Sequence, residues 1–194
     1  MIVYRQLGTS VYEQERFTRI EREEATVPTA YLDTADDRNP TIGIGFNLRT
    51  YMDVVARVFG VNPNDNTHDA TTRKRDSYYL VLLRAAANRS YANNTALQAA
   101  LDEVMRLRAD DPFVNVANKP RTFAFSGTTD PKIRQVFDKI VERYENQVNL
   151  WLPGLIPADS NERVALVSLA YSSRVNRTTG IATLLGDRLR KAII

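Results

Sequence analysis

The stretch SVYEQERFTRIEREE, residues 10–24, is charged along most of its length, yet Phe17, Ile20 and Glu24 recur at i, i+3 and i+7. That spacing puts the three on one face of a helix, with the apolar pair anchoring it and Glu24 at its end. Pro28 limits helix continuation past about Val27. Residues 29–33 and 41–47 then alternate as strands do, on either side of the turn-rich connector DTADDRNP. In the second strand Ile42 and Ile44 alternate with Gly43 and Gly45, which predicts isoleucines packed inward and an open glycine face opposite.

Residues 50–60 read as a short helix ending at Gly60, and VNPNDNTHD as a polar loop. Helical periodicity dominates afterwards, over 69–88, 94–109, 130–151, 159–173 and 178–192. Asp130-Pro131 and Asp159-Ser160 supply N-cap signals. The stretch 110–129 has two prolines and little periodicity, so it reads as an inserted loop packing Phe113, Phe123 and Phe125 on the helical part. The fold class expected is α+β, mostly α. It is a single domain over 1–194, with a helix and β-hairpin lobe over about 10–60 and a larger helical lobe over 61–194.

Composition narrows the chemistry. The 194 residues suit one domain with two lobes. The chain has no Cys, which excludes disulfides, thiol nucleophiles and Cys-ligated zinc. Its one histidine, His68, leaves a zinc site to be built almost entirely from carboxylates, an unusual donor set for that metal. Carboxylates and hydroxyls are what remain for chemistry. No apolar run approaches the roughly 18 residues of a membrane span, and the N-terminal segment lacks the apolar stretch of a signal peptide. The expected place of synthesis is therefore a cytoplasm, without membrane insertion. The net charge of +3 suits an anionic polymer, and equally an ordinary solvated surface.

The candidate chemistry lies near the N-terminus. Glu24 stands seven positions before Tyr31, Tyr31-Leu32-Asp33 follows on the first strand, and Thr41-Ile42-Gly43-Ile44-Gly45 opens the second. An acid at a helix end, a second carboxylate and a hydroxyl can together protonate a glycosidic oxygen and steer a water onto the sugar carbon. Burial beside apolar groups lets a glutamic acid keep its proton near neutral pH. Glu24 lies on the apolar side of its helix, unlike Glu13, Glu15, Glu21 and Glu23. Tyr31 and Asp33 share one side of their strand and Leu32 takes the other.

This run of Phe17, Ile20, Glu24, Tyr31, Asp33 and Thr41 resembles the phage-type lysozymes, the T-even phage-like muramidases of glycoside hydrolase family 24. The resemblance is specific over residues 17–47, moderate over 160–186 and weak between. It implies a lysozyme-like fold with the active-site cleft between the two lobes. It also implies cleavage of β-1,4 bonds between N-acetylmuramic acid and N-acetylglucosamine, without metal or cofactor. By resemblance Glu24 is the general acid, Asp33 the base or electrostatic stabiliser and Thr41 the water positioner, with sugar contacts from Tyr31 and Ser172. An inverting displacement would set the two carboxyl groups roughly 6.5–9.5 Å apart.

The pattern departs from the family at several positions. Ala25 stands where a glycine is common, Phe46 where a histidine stands, and the Asp33–Thr41 connector is longer. The segment ERVALVSLAY, 162–171, is similar to the family's central helix, but Tyr171 leads into Ser172, Ser173 and Arg174 in place of an amide and a glycine. The chain stops at Ala192-Ile193-Ile194 in a helical pattern, so either the 110–129 insertion compensates or this is a domain of a longer phage protein.

Other features read as structural. Asn88-Arg89-Ser90, Asn93-Asn94-Thr95 and Asn176-Arg177-Thr178 match a glycosylation pattern by chance. Tyr78, Tyr79 and Tyr91 read as core or cleft-edge residues, Trp151 as a helix-end plug, and Arg73-Lys74-Arg75 as a solvated face. The expected partner is bacterial peptidoglycan, met either as a lysis enzyme or as a virion-associated one, with a monomer or a domain of a larger protein as the assembly. The competing readings are a lytic transglycosylase, a non-catalytic wall-binding or structural virion module and, last, a nucleic-acid binder. Asp33 and Thr41 argue against the transglycosylase, which has no need of a water-holding pair.

Overall fold

The computed structural model describes residues 4–34 and 38–172, with the backbone alone at Trp151. Among these residues the protein is mostly helical with one small antiparallel sheet, as the sequence predicts. The order is α1 (Thr9–Glu24), β1 (Val27–Asp33), β2 (Asn39–Gly43), β3 (Phe46–Asn47), α2 (Leu48–Val58), α3 (Ala70–Ala87), α4 (Asn94–Asp110), α5 (Pro131–Trp151) and α6 (Asn161–Ser172). The helix expected over 178–192 lies outside the described residues. The chain forms two compact units. One contains residues 4–25 and 137–172, the other Thr26–Val136.

In the first unit α1 packs against α6. Tyr12, Arg16 and Ile20 are the buried positions of α1, one turn apart each, and Phe17 beside them meets Phe137 edge-on at 5.1 Å. Arg16 and Arg163 are buried because both close on Glu145, each donating at 2.6 Å, while the Tyr12 hydroxyl donates to the same carboxylate. Buried charges persist only when paired in this way. Ser160 caps α6 by accepting from the Arg163 amide at 3.2 Å, so the predicted start of this helix holds.

The second unit is built on a three-stranded sheet in the order β1-β2-β3. In β1, Ala30 and Leu32 are buried while Tyr31 and Asp33 between them are half-exposed, the alternation the sequence predicts. The second predicted strand, 41–47, does not run straight. It turns back after Gly43, and β3 pairs with β2 through Ile42–Phe46 and Thr41–Asn47. Gly43 and Gly45 both have positive φ, at 67° and 81°, which a β-branched residue would resist, so the glycines make the turn. The face at Gly43 is also not open: a Cβ there would stand 2.6 Å from the Phe46 ring. Ile42 and Ile44 are fully buried, as expected.

Helix ends in this unit follow their caps. Asn47 accepts from Arg49 and Thr50 amides, which starts α2 at Leu48, two residues before the expected boundary. Asp69 caps α3 and Asn93 caps α4. Asp130 accepts from the Lys132 amide at 2.9 Å at the predicted start of α5. The loop over 111–129 brings Phe123 and Phe125 onto Phe59, with ring centroids 4.7 and 5.2 Å away. Phe113 departs from expectation and stays 62% exposed. A buried ion pair, Arg108 to Asp76 at 2.8 Å, joins α4 to α3, and Arg108 also donates to the Gly60 carbonyl.

Candidate functional site

Glu24 is the last residue of α1, half-buried, as its helical phase predicts. The chain leaves the helix abruptly there, because Ala25 takes φ 54° and ψ 149°. That backbone region is essentially glycine's own, so the alanine is strained there. The neighbouring Glu23 differs from expectation. It is not simply a solvated charge: Ser168 of α6 donates to its carboxylate at 2.5 Å, Ser172 points to the same oxygen at 3.4 Å, and Arg19 pairs with it at 3.2 Å. Ser172, the expected sugar contact, therefore has its hydroxyl turned to Glu23.

In the second unit, Tyr31 and Asp33 lie on the half-exposed side of β1. Tyr31 stands opposite Thr41 and Asp33 opposite Asn39 in the β1–β2 register. Thr41 is 3% exposed, and its hydroxyl donates to the Asn39 carbonyl at 3.1 Å. The hydroxyl oxygen keeps acceptor lone pairs, but its one proton is committed. Asn39 is fixed in turn by Arg49, which donates to its side-chain oxygen at 2.7 Å.

The residues that position β1 were invisible as such in the sequence. β1 is an edge strand, and edge amides need partners. Asn94 accepts from the Leu32 amide at 2.9 Å and Gln98 from the Ala30 amide at 2.7 Å. Gln98 then donates to Asp102, which accepts from the Phe123 amide. Asn94, Gln98 and Asp102 are spaced i, i+4 and i+8, so one polar stripe of α4 holds the strand that carries Tyr31 and Asp33. The only available signal was that spacing.

Tyr79 is core and Tyr91 half-buried, both as expected, whereas Tyr78 is 51% exposed. Among the described residues no three His, Cys, Asp or Glu side chains gather as a metal site, and no helix is long and apolar enough to cross a membrane. The chain matches no family model, no curated protein and no solved structure.

Proposed function

We propose that the protein is a glycoside hydrolase of bacterial wall glycan, a muramidase with a lysozyme-like fold and cleft. The observation that carries the reading is the order of elements around four spaced residues. α1 ends at Glu24, β1 presents Tyr31 and Asp33 on its non-core side, and β2 sets Thr41 in register with Tyr31. In this reading Glu24 gives its proton to the glycosidic oxygen as the bond to the sugar carbon breaks. A water attacks that carbon, Asp33 takes its proton, and the new chain end is a reducing sugar. Tyr31 contacts the sugar.

A second reading has one specific observation in its favour. The burial of Thr41 and the commitment of its proton to Asn39 suit a structural role. In a lytic transglycosylase the sugar's own hydroxyl replaces water, Glu24 remains the acid, and Asp33 and Thr41 only shape the sheet.

The test is Glu24→Gln, which keeps the side chain's shape and removes the transferable proton. Turbidity clearing of wall fragments is expected to fall by about 10²–10⁴-fold or more, with the circular dichroism spectrum unchanged. Glu21→Gln is the control and should clear at the wild-type rate. Clearing by Glu24→Gln at near wild-type rate would end the assignment.

A further inference from the structure

Outside the proposed site, the most organised exposed feature is a cluster around Arg75. Its guanidinium lies 5.6 Å from the Tyr78 ring centroid and 5.8 Å from that of Phe113. Both rings are more than half exposed, at 51% and 62%. Two large rings exposed at one arginine differ from the scattered single apolar residues that need no explanation, and grouped exposed apolar surface marks interaction sites.

The arginine between the rings is held in place. Asp111 accepts from Arg75 at 2.5 Å, from the Phe113 amide at 2.9 Å and from the buried Tyr79 hydroxyl at 2.9 Å. Tyr78 sits edge-on to Tyr79 at 5.2 Å. One carboxylate thus fixes the arginine that both exposed rings share. An exposed ring packed beside a fixed guanidinium has less side-chain freedom to lose on binding than an isolated one, which favours a flat apolar ligand face. Lys74 lies one turn before Tyr78 on α3, on the same side of the helix, and Arg73 adjoins it.

We propose that Tyr78 and Phe113, with Lys74 and Arg73 beside them, form a glycan-holding platform for an acidic polysaccharide. The C–H face of a pyranose ring carries partial positive charge and meets the negative face of an aromatic ring. The two cations meet the carboxylates that the polymer carries, which in peptidoglycan are those of its stem peptides. Single-stranded nucleic acid would use the same ring faces, but it needs a run of phosphate contacts. Here the Arg75 charge is already taken by Asp111, and the whole chain carries only +3. The choice of peptidoglycan as the polysaccharide rests on the muramidase reading. The platform would then keep the enzyme on the wall between cleavages.

The experiment is co-sedimentation of the full chain with purified peptidoglycan sacculi, in a Glu24→Gln background so that the wall persists. Tyr78→Ser combined with Phe113→Ser is expected to lower the bound fraction by roughly tenfold or more in affinity, as deletion of two ring contacts implies. Its thermal unfolding midpoint should drop only slightly, since both rings are more than half exposed, and its circular dichroism spectrum at the assay temperature should match the parent. In the active background the same pair should leave cleavage of a short soluble wall oligosaccharide unchanged. Lys74→Ala should weaken binding and flatten its salt dependence. Undiminished sedimentation of the double variant overturns the platform, as does displacement from sacculi by single-stranded DNA at lower concentration than by soluble wall glycan. Binding that depends on Tyr78 and Phe113 in a protein that cleaves no glycan would sustain the platform and remove the muramidase reading alone.

Discussion

Ser168 donates its hydroxyl proton to the carboxylate of Glu23 at 2.5 Å, joining the last turn of α1 to α6. Glu23 immediately precedes the candidate acid, so this bond fixes the backbone from which Glu24 projects. A hydrogen bond to a charged group is worth about 1.5–3 kcal/mol when its partner would otherwise go unpaired.

Glu23→Gln should therefore lower stability by about 1–2 kcal/mol, and Ser168→Ala by a similar amount, read from urea midpoints. The double variant should cost less than the sum, with a coupling of about 1 kcal/mol, because both changes remove one bond. Glu21→Gln, on the same helix without such a partner across to α6, should stay within about 0.5 kcal/mol of the parent. Strict additivity would show that the two groups do not act together.

Much of this arrangement was legible in the sequence, for identifiable reasons. A single periodicity and one proline set the end of α1, and period-two alternation placed Tyr31 and Asp33 opposite Leu32. The Gly-Ile-Gly run misled because alternation looks the same in a straight strand and in a turn; only the positive φ at Gly43 and Gly45 separates them. The roles of Glu23 and of the Asn94–Gln98 stripe were hidden for another reason. A polar residue on a helix defaults to water unless a distant element arrives to use it, and Ser168 is 145 residues from Glu23. Phe113 was assigned inward on hydrophobicity alone, whereas its neighbour Asp111 and the cation of Arg75 give it a place at the surface.

Ala25→Gly should stabilise the protein. The alanine holds φ 54° and ψ 149°, a region that costs a residue with a Cβ about 1–3 kcal/mol. Glycine removes that strain and gives back about 0.4–1 kcal/mol through the freer unfolded chain. The net expectation is a gain of about 1 kcal/mol, visible as a higher urea midpoint. Ala25→Val should lose stability, since a branched side chain resists this region further. A glycine variant less stable than the parent would mean the strain is not there.

The Asp111 cluster should give the second unit a defined pH dependence. Burial pushes the Asp111 carboxyl up, but hydrogen bonds from Arg75, the Phe113 amide and Tyr79 outweigh it and hold the group below its ordinary 3.8. A depressed carboxyl contributes stability that is present above 3.8 and lost as pH falls through the folded value. Burial, then the Asp111 carboxylate, pushes the Tyr79 hydroxyl from 10.0 up to about 12. A raised phenol contributes stability that is present below 10.0 and lost as pH climbs towards about 12. Unfolding midpoints should thus fall on both sides of a neutral plateau. Asp111→Asn should lower the plateau and flatten the acid limb, and Tyr79→Phe should flatten the alkaline one. An acid limb unchanged in Asp111→Asn would place the titrating group elsewhere.

The product of the reaction separates the two catalytic readings. If Asp33 and Thr41 steer a water, Asp33→Asn should be severely impaired and Thr41→Val clearly so. Their double variant should then be much less than additive, since both serve one water. The new ends should be reducing sugars of inverted, α configuration. If the buried Thr41 hydroxyl serves only Asn39, Thr41→Val should cost about 1 kcal/mol of stability and leave the rate per folded molecule intact. Mass spectrometry of digested peptidoglycan then separates transglycosylase from hydrolase, and proton NMR recorded during the digest, before mutarotation, reads the configuration of the reducing ends. A transglycosylase leaves a 1,6-anhydro end lighter by a water, and mainly anhydro ends would make Asp33 and Thr41 structural. Reducing ends of β configuration would keep the hydrolase and turn Asp33 into a covalent nucleophile, which requires carboxyl groups about 5–5.5 Å apart. Reducing ends of α configuration, with Thr41→Val slowed at unchanged stability, are the outcome expected of the muramidase.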